Sequence, residues 1–285
     1  MNRLATTNNR YKKRLAAIPA LATFCDQAEQ VVHVEDPESF WRIEPAFRDL
    51  LASNFIESFL LYELKAVAED HFHFMSGSSE FHAPLAESAG YSLMFKLASP
   101  EALAAAPITS LTEHLLLAVK GNAELQRLAI EEPFCNDILD RSKQLVVGDL
   151  INLVPGMILR FHSPSEMFRL RLERPLLMIQ LQSVTTVPLR WVFNPETLQP
   201  YRAVASRLSS SRLQFTCHTL AALGSPTSIP ALKKLIDHPD HYVRWAAIQG
   251  ICVISREDGL ECLHRSLGDR HPHIRNAAQK TLAEF

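Results

Sequence analysis

The chain has 285 residues, of which 47% are hydrophobic, 21% are charged and 8% are aromatic, and it contains nine glycines. This composition excludes a wholly disordered, collagen-like or coiled-coil chain, and the length predicts one large domain or two smaller ones. The formal net charge of −2 excludes a basic field over the whole chain of the kind that attracts nucleic acid.

The cysteines and the apolar stretches indicate the cellular compartment. The five cysteines are odd in number and widely spaced and form no CxxC pair, which is typical of a reduced cytoplasmic protein. The uncharged stretch at 175–189 is shorter than the roughly 20 residues that a membrane helix needs. The basic residues up to Arg14 are followed by a short apolar run without a clear cleavage site. We therefore expect a cytoplasmic protein with no membrane span.

Residues 1–70 predict an N-terminal helical segment. One helix opens at Pro37 and carries an apolar face at three- to four-residue spacing, and Pro45 inside it predicts a kink or break. A second helix is predicted from Asn54, a plausible N-cap, to Asp70. Its predicted apolar stripe consists of Ile56, Leu60, Leu64 and Val67, with Phe59 beside it.

Residues 71–206 change to a period of two, which predicts an antiparallel β domain. Leu177, Ile179 and Leu181 alternate with Met178, Gln180 and Gln182, as in strands with one face in the core and one in water. Gly121-Asn122 predicts a two-residue hairpin turn, and further turns are predicted at 154–156 and 195–197. Nine or ten short strands at this spacing favour a barrel or sandwich over βαβ units.

Residues 207–285 contain an internal repeat with an offset of 31 residues. Leu220, Ile251 and Leu282 coincide at this offset, and Arg244 coincides with Arg275. The paired alanines at 246–247 coincide with those at 277–278. A unit of this length made of two short antiparallel helices is an α-solenoid repeat.

The repeat resembles the HEAT-like repeats first recognised in phycobilisome lyases. The shared pattern is an acidic residue followed a few residues later by Val-Arg-x-Ala-Ala, and it recurs from Asp269 as Ile-Arg-Asn-Ala-Ala. The resemblance covers about 75 residues. It implies a fold rather than an activity, because HEAT-like repeats occur in lyases, in a DNA glycosylase family and in many scaffolds.

The middle zone resembles a cupin-type jelly roll. Gly148-Asp149 followed by Pro155-Gly156 is similar to the second cupin motif, and His162 is displaced from the metal-binding position of that motif. His71-Phe72-His73 followed by Glu80 imitates the first cupin motif, although Glu80 comes three residues late. The resemblance implies an antiparallel jelly-roll barrel with a metal site.

The residues themselves also suggest a metal site in this zone. On a strand, His71 and His73 point to one face, so both imidazoles could reach one ion, with His82 on the return strand and His162 recruited from farther along. Fe²⁺, Zn²⁺ or Mn²⁺ suits such ligands, with Glu80 as a further donor. The alternative is a polar hairpin surface around an exposed turn.

The C-terminal zone suggests two further kinds of site. The histidines at the ends of the repeats (238, 241, 264, 271 and 273) could bind metal or sense pH, or they could simply follow the loop consensus. Arg244, Trp245 and Arg275 could form a partner-binding surface. In the alternative, Arg244 pairs with an acid of the adjoining loop, Asp240 or Asp269.

We predict an α+β protein with an N-terminal helical segment at 1–70, a cupin-like β domain at 71–206 and HEAT-like repeats at 207–285. The first functional hypothesis is a non-catalytic binding or accessory protein that holds a protein or peptide partner. The second is a metal-dependent cupin-type enzyme that acts on a small molecule. A nucleic-acid-binding HEAT fold is a minor alternative, because 10 Lys and Arg against 7 Asp and Glu give residues 207–285 a charge of only +3.

Overall fold

A computed structural model describes residues 11–69, 82–100, 109–185 and 187–284. The chain divides into two compact units. The first comprises Met1–Phe134 and Asp140–Arg202, and the second comprises Cys135–Leu139 and Ala203–Phe285. None of the helices in the described ranges is long and apolar enough to cross a membrane.

The helices of the first unit follow the predicted break but not the predicted stripe. After a helical stretch at 11–17, they are α1 (Pro19–Val31), a 3-10 helix (Pro37–Ile43), α2 (Glu44–Ala52) and α3 (Phe55–Glu69). The break near Pro45 is confirmed, because α2 starts at Glu44 and places the proline in its first turn, where no helical N–H bond is lost. In α3 the predicted stripe is wrong at Leu60, Leu64 and Val67, which are exposed, whereas Phe59, predicted beside the stripe, is buried together with Phe55.

Ten strands lie within the described ranges, and the ladders of the two larger sheets are antiparallel, as predicted. Their bounds are β1 (His82–Glu87), β2 (Tyr91–Ala98), β3 (His114–Lys120), β4 (Ala123–Ile130), β5 (Leu145–Leu153), β6 (Ile158–Phe161), β7 (Glu166–Arg171), β8 (Leu176–Ser183), β9 (Leu189–Phe193) and β10 (Pro200–Ala205). The sheet orders are β1-β2-β8-β3-β6, β5-β4-β7 and β10-β9.

From β3 onward the chain passes back and forth between the two larger sheets, as in a double-sheet jelly roll, because β3, β6 and β8 lie in one sheet and β4, β5 and β7 lie in the other. The predicted hairpin at Gly121-Asn122 is wrong, because this turn joins β3 of one sheet to β4 of the other. Gly121 has φ of +98°, and a Cβ at this position would lie 2.8 Å from the carbonyl oxygen of Pro175. Of the barrel and the sandwich that the strand spacing allowed, the structure has the arrangement of separate sheets, since no ladder joins the two larger sheets among the strands described.

Both faces of the five-stranded sheet are covered. One face carries Leu93, Leu115 and Leu181, which share a core with the N-terminal helices. The opposite face carries Leu116 and Met178, which share a core with residues of the three-stranded sheet. The prediction of a wet face on β8 is therefore wrong, because Met178 and Gln180 are only 4% and 7% exposed.

The second unit consists mainly of paired helices around its own core. They are α4 (Leu208–Leu223), α5 (Ile229–Leu235), α6 (His241–Ile254), α7 (Arg256–Ser266) and α8 (Pro272–Glu284). The helices α6 and α8 begin 31 residues apart, at His241 and Pro272, which reproduces the offset of the sequence repeat. Ala246 and Ala278 are buried in this core, where their small side chains allow helices to pack closely.

Candidate metal centre

The starts of two repeat helices bring three histidines together in the second unit. His241 is the first residue of α6, and His271 and His273 flank the first residue of α8. One ligand atom from each of the three side chains lies within 4.8 Å of the other two. His241 and His271 are buried, and their rings stack with centroids 3.7 Å apart and planes 2° apart.

Asp137, from the short loop that belongs to this unit, reaches the same cluster. Its Oδ1 lies 3.1 Å from Nδ1 of His241, and its Oδ2 lies 3.2 Å from Nε2 of His271. Despite these distances, both ring nitrogens are buried without a properly oriented hydrogen bond. The carboxylate thus faces two imidazole nitrogens whose hydrogen-bonding capacity is unused.

The environment keeps the buried imidazoles of His241 and His271 neutral. Burial, together with the neighbouring His271, lowers the pKa of His241 to about 4, and Asp137 offsets only part of this effect. Burial also lowers the pKa of His271. The backbone N–H of His273 donates to Nδ1 of His271 at 3.2 Å, so the neutral ring of His271 carries its proton on Nε2, toward Asp137. Neutral imidazoles are the form that binds metal ions.

Three imidazoles and one carboxylate form a donor set that suits a divalent transition metal. With bonds of about 2.0–2.1 Å, a tetrahedral site brings donor atoms to about 3.4 Å from one another, so the observed cluster has to contract. One ring of the parallel pair must also turn, because an ion cannot lie in both parallel ring planes at once.

The histidines predicted in the β domain are only partly described. His71, His73 and Glu80 lie outside the described residues. His82 lies on edge strand β1 opposite Lys96, whereas His162 follows β6 at the other edge of the same sheet, with three strands between the two edges. The four-histidine metal site therefore remains a prediction.

His162 has a different environment from the repeat histidines. It is exposed, its Nδ1 lies 3.4 Å from Oε2 of Glu113, and its ring centroid lies 4.6 Å from that of Trp41. Burial raises the pKa of Glu113 to about 7, although the backbone N–H of Ser163 donates to this carboxylate at 3.1 Å. His162 thus contacts a buried acid at the sheet edge.

The arginines predicted to bind a partner hold the repeat loops. Arg244 is only 2% exposed, and its Nε and Nη2 donate to the two carboxylate oxygens of Asp269 at 3.0 and 2.7 Å. Its Nη1 donates to the backbone carbonyls of His238 and Pro239, both at 2.9 Å. These contacts match the alternative considered for Arg244, in which it pairs with an acid of the adjoining loop. They also bury its charged group.

The other two residues of the predicted partner surface differ in exposure. Arg275 is exposed, and its Nη1 donates to the carbonyls of Asp269 and Arg270 at 2.8 and 3.1 Å, much as Arg244 does in the preceding loop. Trp245 is partly buried and packs against the core of the second unit. Of the three, Arg275 is the one whose side chain is largely accessible.

Sequence reasoning singled out the three histidines but missed Asp137. Their positions at the starts of repeat helices were visible in the spacing of the tail. Asp137 lies in a polar loop between two strands, far from the repeats in sequence, and nothing local marks it as a ligand. Only the fold brings this loop into the second unit.

Residues 229–285 match the family model for HEAT repeats. A search of curated proteins found no match. Among solved structures, hydroquinone 1,2-dioxygenase from Sphingomonas sp. TTNP3 aligns with 14% identity and a TM-score of 0.29, covering 39% of this chain and 70% of that one.

Two further alignments are of the same quality. The DMSP lyase of Ruegeria pomeroyi DSS-3 aligns with 15% identity and a TM-score of 0.28 over 44% of this chain and 60% of that one. An RmlC-like cupin family protein of Methanocaldococcus jannaschii aligns with 11% identity and a TM-score of 0.25 over 39% and 86%. Alignments with such TM-scores carry no argument about activity.

Proposed function

We propose that the protein is a non-catalytic accessory protein in which a structural metal ion orders the HEAT-like unit that holds a protein partner. The observation that carries this proposal is the cluster of His241, His271 and His273, with Asp137 placed against two of these rings. Four protein ligands complete a tetrahedral shell and leave no position for substrate, as in structural rather than catalytic zinc sites. The match to HEAT repeats supports the partner-holding role.

Metal binding at this cluster has a chemical signature. The ring of His271 carries its proton on Nε2, the nitrogen that faces Asp137, so coordination through that atom requires the neutral ring to move its proton to Nδ1 and to lose the hydrogen bond from the backbone N–H of His273. The ion also replaces the stacked contact of two neutral rings with bonds to both. Zn²⁺ is the most suitable ion, because it accepts mixed nitrogen and oxygen ligands in a tetrahedral site.

The test is zinc binding to the metal-free full chain. Titration calorimetry should show saturable binding of one equivalent of zinc per chain. His273→Ala and Asp137→Asn should each weaken binding at least tenfold. His264→Ala is the matched control, because His264 is an exposed histidine of the same unit. Wild-type affinity in both ligand variants, or no saturable binding to the wild type, would overturn the proposal.

A row of exposed apolar side chains on α4 supports the partner-holding role. Leu208, Phe215 and Leu223 follow helical spacing along one side of α4 and are 66%, 74% and 72% exposed. Large apolar side chains left in water over one helix face mark interaction surfaces.

Photo-crosslinking in cells tests this surface. A crosslinker placed at Phe215 should capture one recurrent protein that a crosslinker at the exposed Lys234 does not, and a Leu223→Ser change should reduce the capture. Equal capture from both positions, or capture unaffected by Leu223→Ser, contradicts a partner site on α4.

The second candidate is a metal-dependent cupin-type enzyme that acts on a small molecule, with His71, His73, His82 and His162 as ligands. The alternating strand order of the two sheets favours it. Elemental analysis separates the two candidates. If His73→Ala removes a metal equivalent that His273→Ala retains, the β domain binds its own metal. If His73→Ala leaves the metal content unchanged, the enzyme candidate fails.

A further inference from the structure

The row of exposed apolar side chains on α4 lies on the side of this helix that faces away from α6. Ser210 and Cys217 are buried on the other side, where the hydroxyl of Ser210 donates to Oδ2 of Asp240 at 2.6 Å, just before α6 begins. Successive residues of an α-helix are about 100° apart around its axis. Leu208 and Phe215 each precede one of these buried residues by two positions, so they point to nearly the opposite side.

The sequence repeat shows what this exposed side of α4 corresponds to in the next repeat. Its residues and their counterparts on α6 are Phe215 and Ala246, Thr216 and Ala247, and Thr219 and Gly250. The three counterparts are buried, and a Cβ at Gly250 would lie 3.4 Å from the carbonyl oxygen of Cys217 on α4. Helix α6 therefore packs this side against the helix of the repeat before it, whereas on α4 the same side is exposed.

The threonines on this side of α4 do not make it hydrophilic. The hydroxyls of Thr216 and Thr219 donate to the backbone carbonyls of Arg212 and Phe215, each at 2.9 Å, so their hydrogen-bonding needs are met within the helix. The methyl groups of the threonines therefore add to the apolar surface of Phe215, which is 74% exposed. This side of α4 has the character of a helix-packing face.

The charge on the same side is positive. Arg212 is exposed, and none of the ion pairs in the described part of the chain includes it. The sequence of α4 contains no aspartate or glutamate. A second copy that docked through this face would bring two Arg212 side chains to one interface without a carboxylate from either helix, and like charges across an interface oppose binding. The charge therefore favours a different chain that carries carboxylates.

We propose that this side of α4 binds an acidic amphipathic helix of a partner protein, which stacks on α4 as the helix of a preceding repeat would. Its apolar stripe contacts Phe215 and Leu223, and a carboxylate beside the stripe pairs with Arg212. The proposal rests on the partner-holding function and adds the chemistry of the partner.

The test uses two synthetic peptides that form the same amphipathic helix with a stripe of leucines. Glutamates flank the stripe in the first peptide, and lysines flank it in the second. Fluorescence anisotropy with the full chain should show saturable binding of the glutamate peptide, about tenfold tighter than that of the lysine peptide. Equal affinities, or no saturable binding of the glutamate peptide, would overturn the proposal.

Variants then assign the binding to α4, and both substituted side chains are exposed, so each variant should fold. Phe215→Ser should weaken binding of the glutamate peptide by about tenfold or more, because large aromatic side chains carry much of the energy of an interface. Arg212→Glu should reverse the preference between the two peptides. Leu64→Ser is the matched control, because Leu64 is a 65% exposed apolar residue on α3. Unchanged binding to Phe215→Ser, or a preference unaffected by Arg212→Glu, contradicts the site.

Two further measurements separate the acidic helix from other occupants. Sedimentation equilibrium should show no self-association that depends on Phe215, and a dimer that Phe215→Ser dissociates would assign the face to a second copy instead. Photo-crosslinking at Phe215 tests the partner-holding function itself. Capture of a partner without binding of the glutamate peptide overturns the acidic helix alone, whereas peptide binding without capture overturns the proposed function.

Discussion

At the scale of single residues, the bidentate pair of Arg244 and Asp269 is the clearest case of a buried charge with a partner. Burial alone raises the pKa of Asp269, but hydrogen bonds from Arg244 and from the backbone N–H of His271 bring it below its ordinary value. The same carboxylate thus neutralises a buried guanidinium and holds the loop that precedes α8.

We expect Asp269→Ala to lower the free energy of unfolding by about 3–5 kcal/mol, because it leaves the charge of Arg244 buried and unpaired. Chemical denaturation of the full chain measures this. The exposed pair of Arg265 and Asp237 provides the comparison, and Asp237→Ala should cost about 1 kcal/mol or less. Similar losses in the two variants would contradict the structural role assigned to Arg244.

Glu113 predicts a pH dependence of stability. Its pKa is about 7 in the folded chain, above its ordinary value of 4.5, so folding stabilises the protonated form. This contribution is present in full below pH 4.5 and is lost as the pH rises through 7. Glu113→Gln should therefore melt at a higher temperature than the wild type at pH 8, and the difference should shrink toward pH 5. A difference in melting temperature that does not change with pH contradicts this expectation.

At the scale of elements, the close approach of α6 and α7 depends on Gly259. A Cβ at this position would lie 2.7 Å from Cα of Cys252 on the neighbouring helix, closer than side chains are found. The helices therefore cannot keep their present spacing with any side chain at 259.

We expect Gly259→Ala to lower the melting temperature, although alanine favours a helix by about 1 kcal/mol over glycine. The cost of separating two packed helices exceeds that gain. Gly268→Ala is the matched control, because its Cβ would meet nothing closer than 3.7 Å. A Gly259→Ala chain as stable as this control would mean that the two helices pack less closely than observed.

The elements also show where sequence patterns reach their limit. The apolar stripe predicted for α3 is exposed because the sheet packs against the side of the helix that carries Phe55 and Phe59. The turn at Gly121 was recognisable from its residue types, but those types do not say whether the next strand returns to the same sheet. Local preferences determine that a chain turns, whereas packing determines where it goes.

At the scale of the whole molecule, each unit has its own hydrophobic core, and the proposed metal ion belongs to one of them. An ion that binds only the folded form stabilises that form by mass action. We expect scanning calorimetry to resolve two transitions, and a chelator to lower the temperature of the transition that Gly259→Ala also affects. If the chelator lowers both transitions equally or neither, the metal does not act on the second unit.

The sequence by itself determined the repeat helices, the antiparallel strands and the break before Pro45. These features depend on local periodicity and turn chemistry, and residues 229–285 also match HEAT repeats. The sequence also indicated the histidines at the ends of the repeats as candidate metal ligands, since their positions follow from the repeat.

Only the tertiary structure decided which groups meet. Asp137 joins the histidines because the loop at 135–139 packs with the second unit, although its neighbours in the chain pack with the first. Met178 and Gln180 are buried because a second sheet covers a strand face that alternation alone assigns to water. Contacts between residues far apart in sequence depend on the packing of whole elements. The periodicity within one element does not show which other elements pack against it.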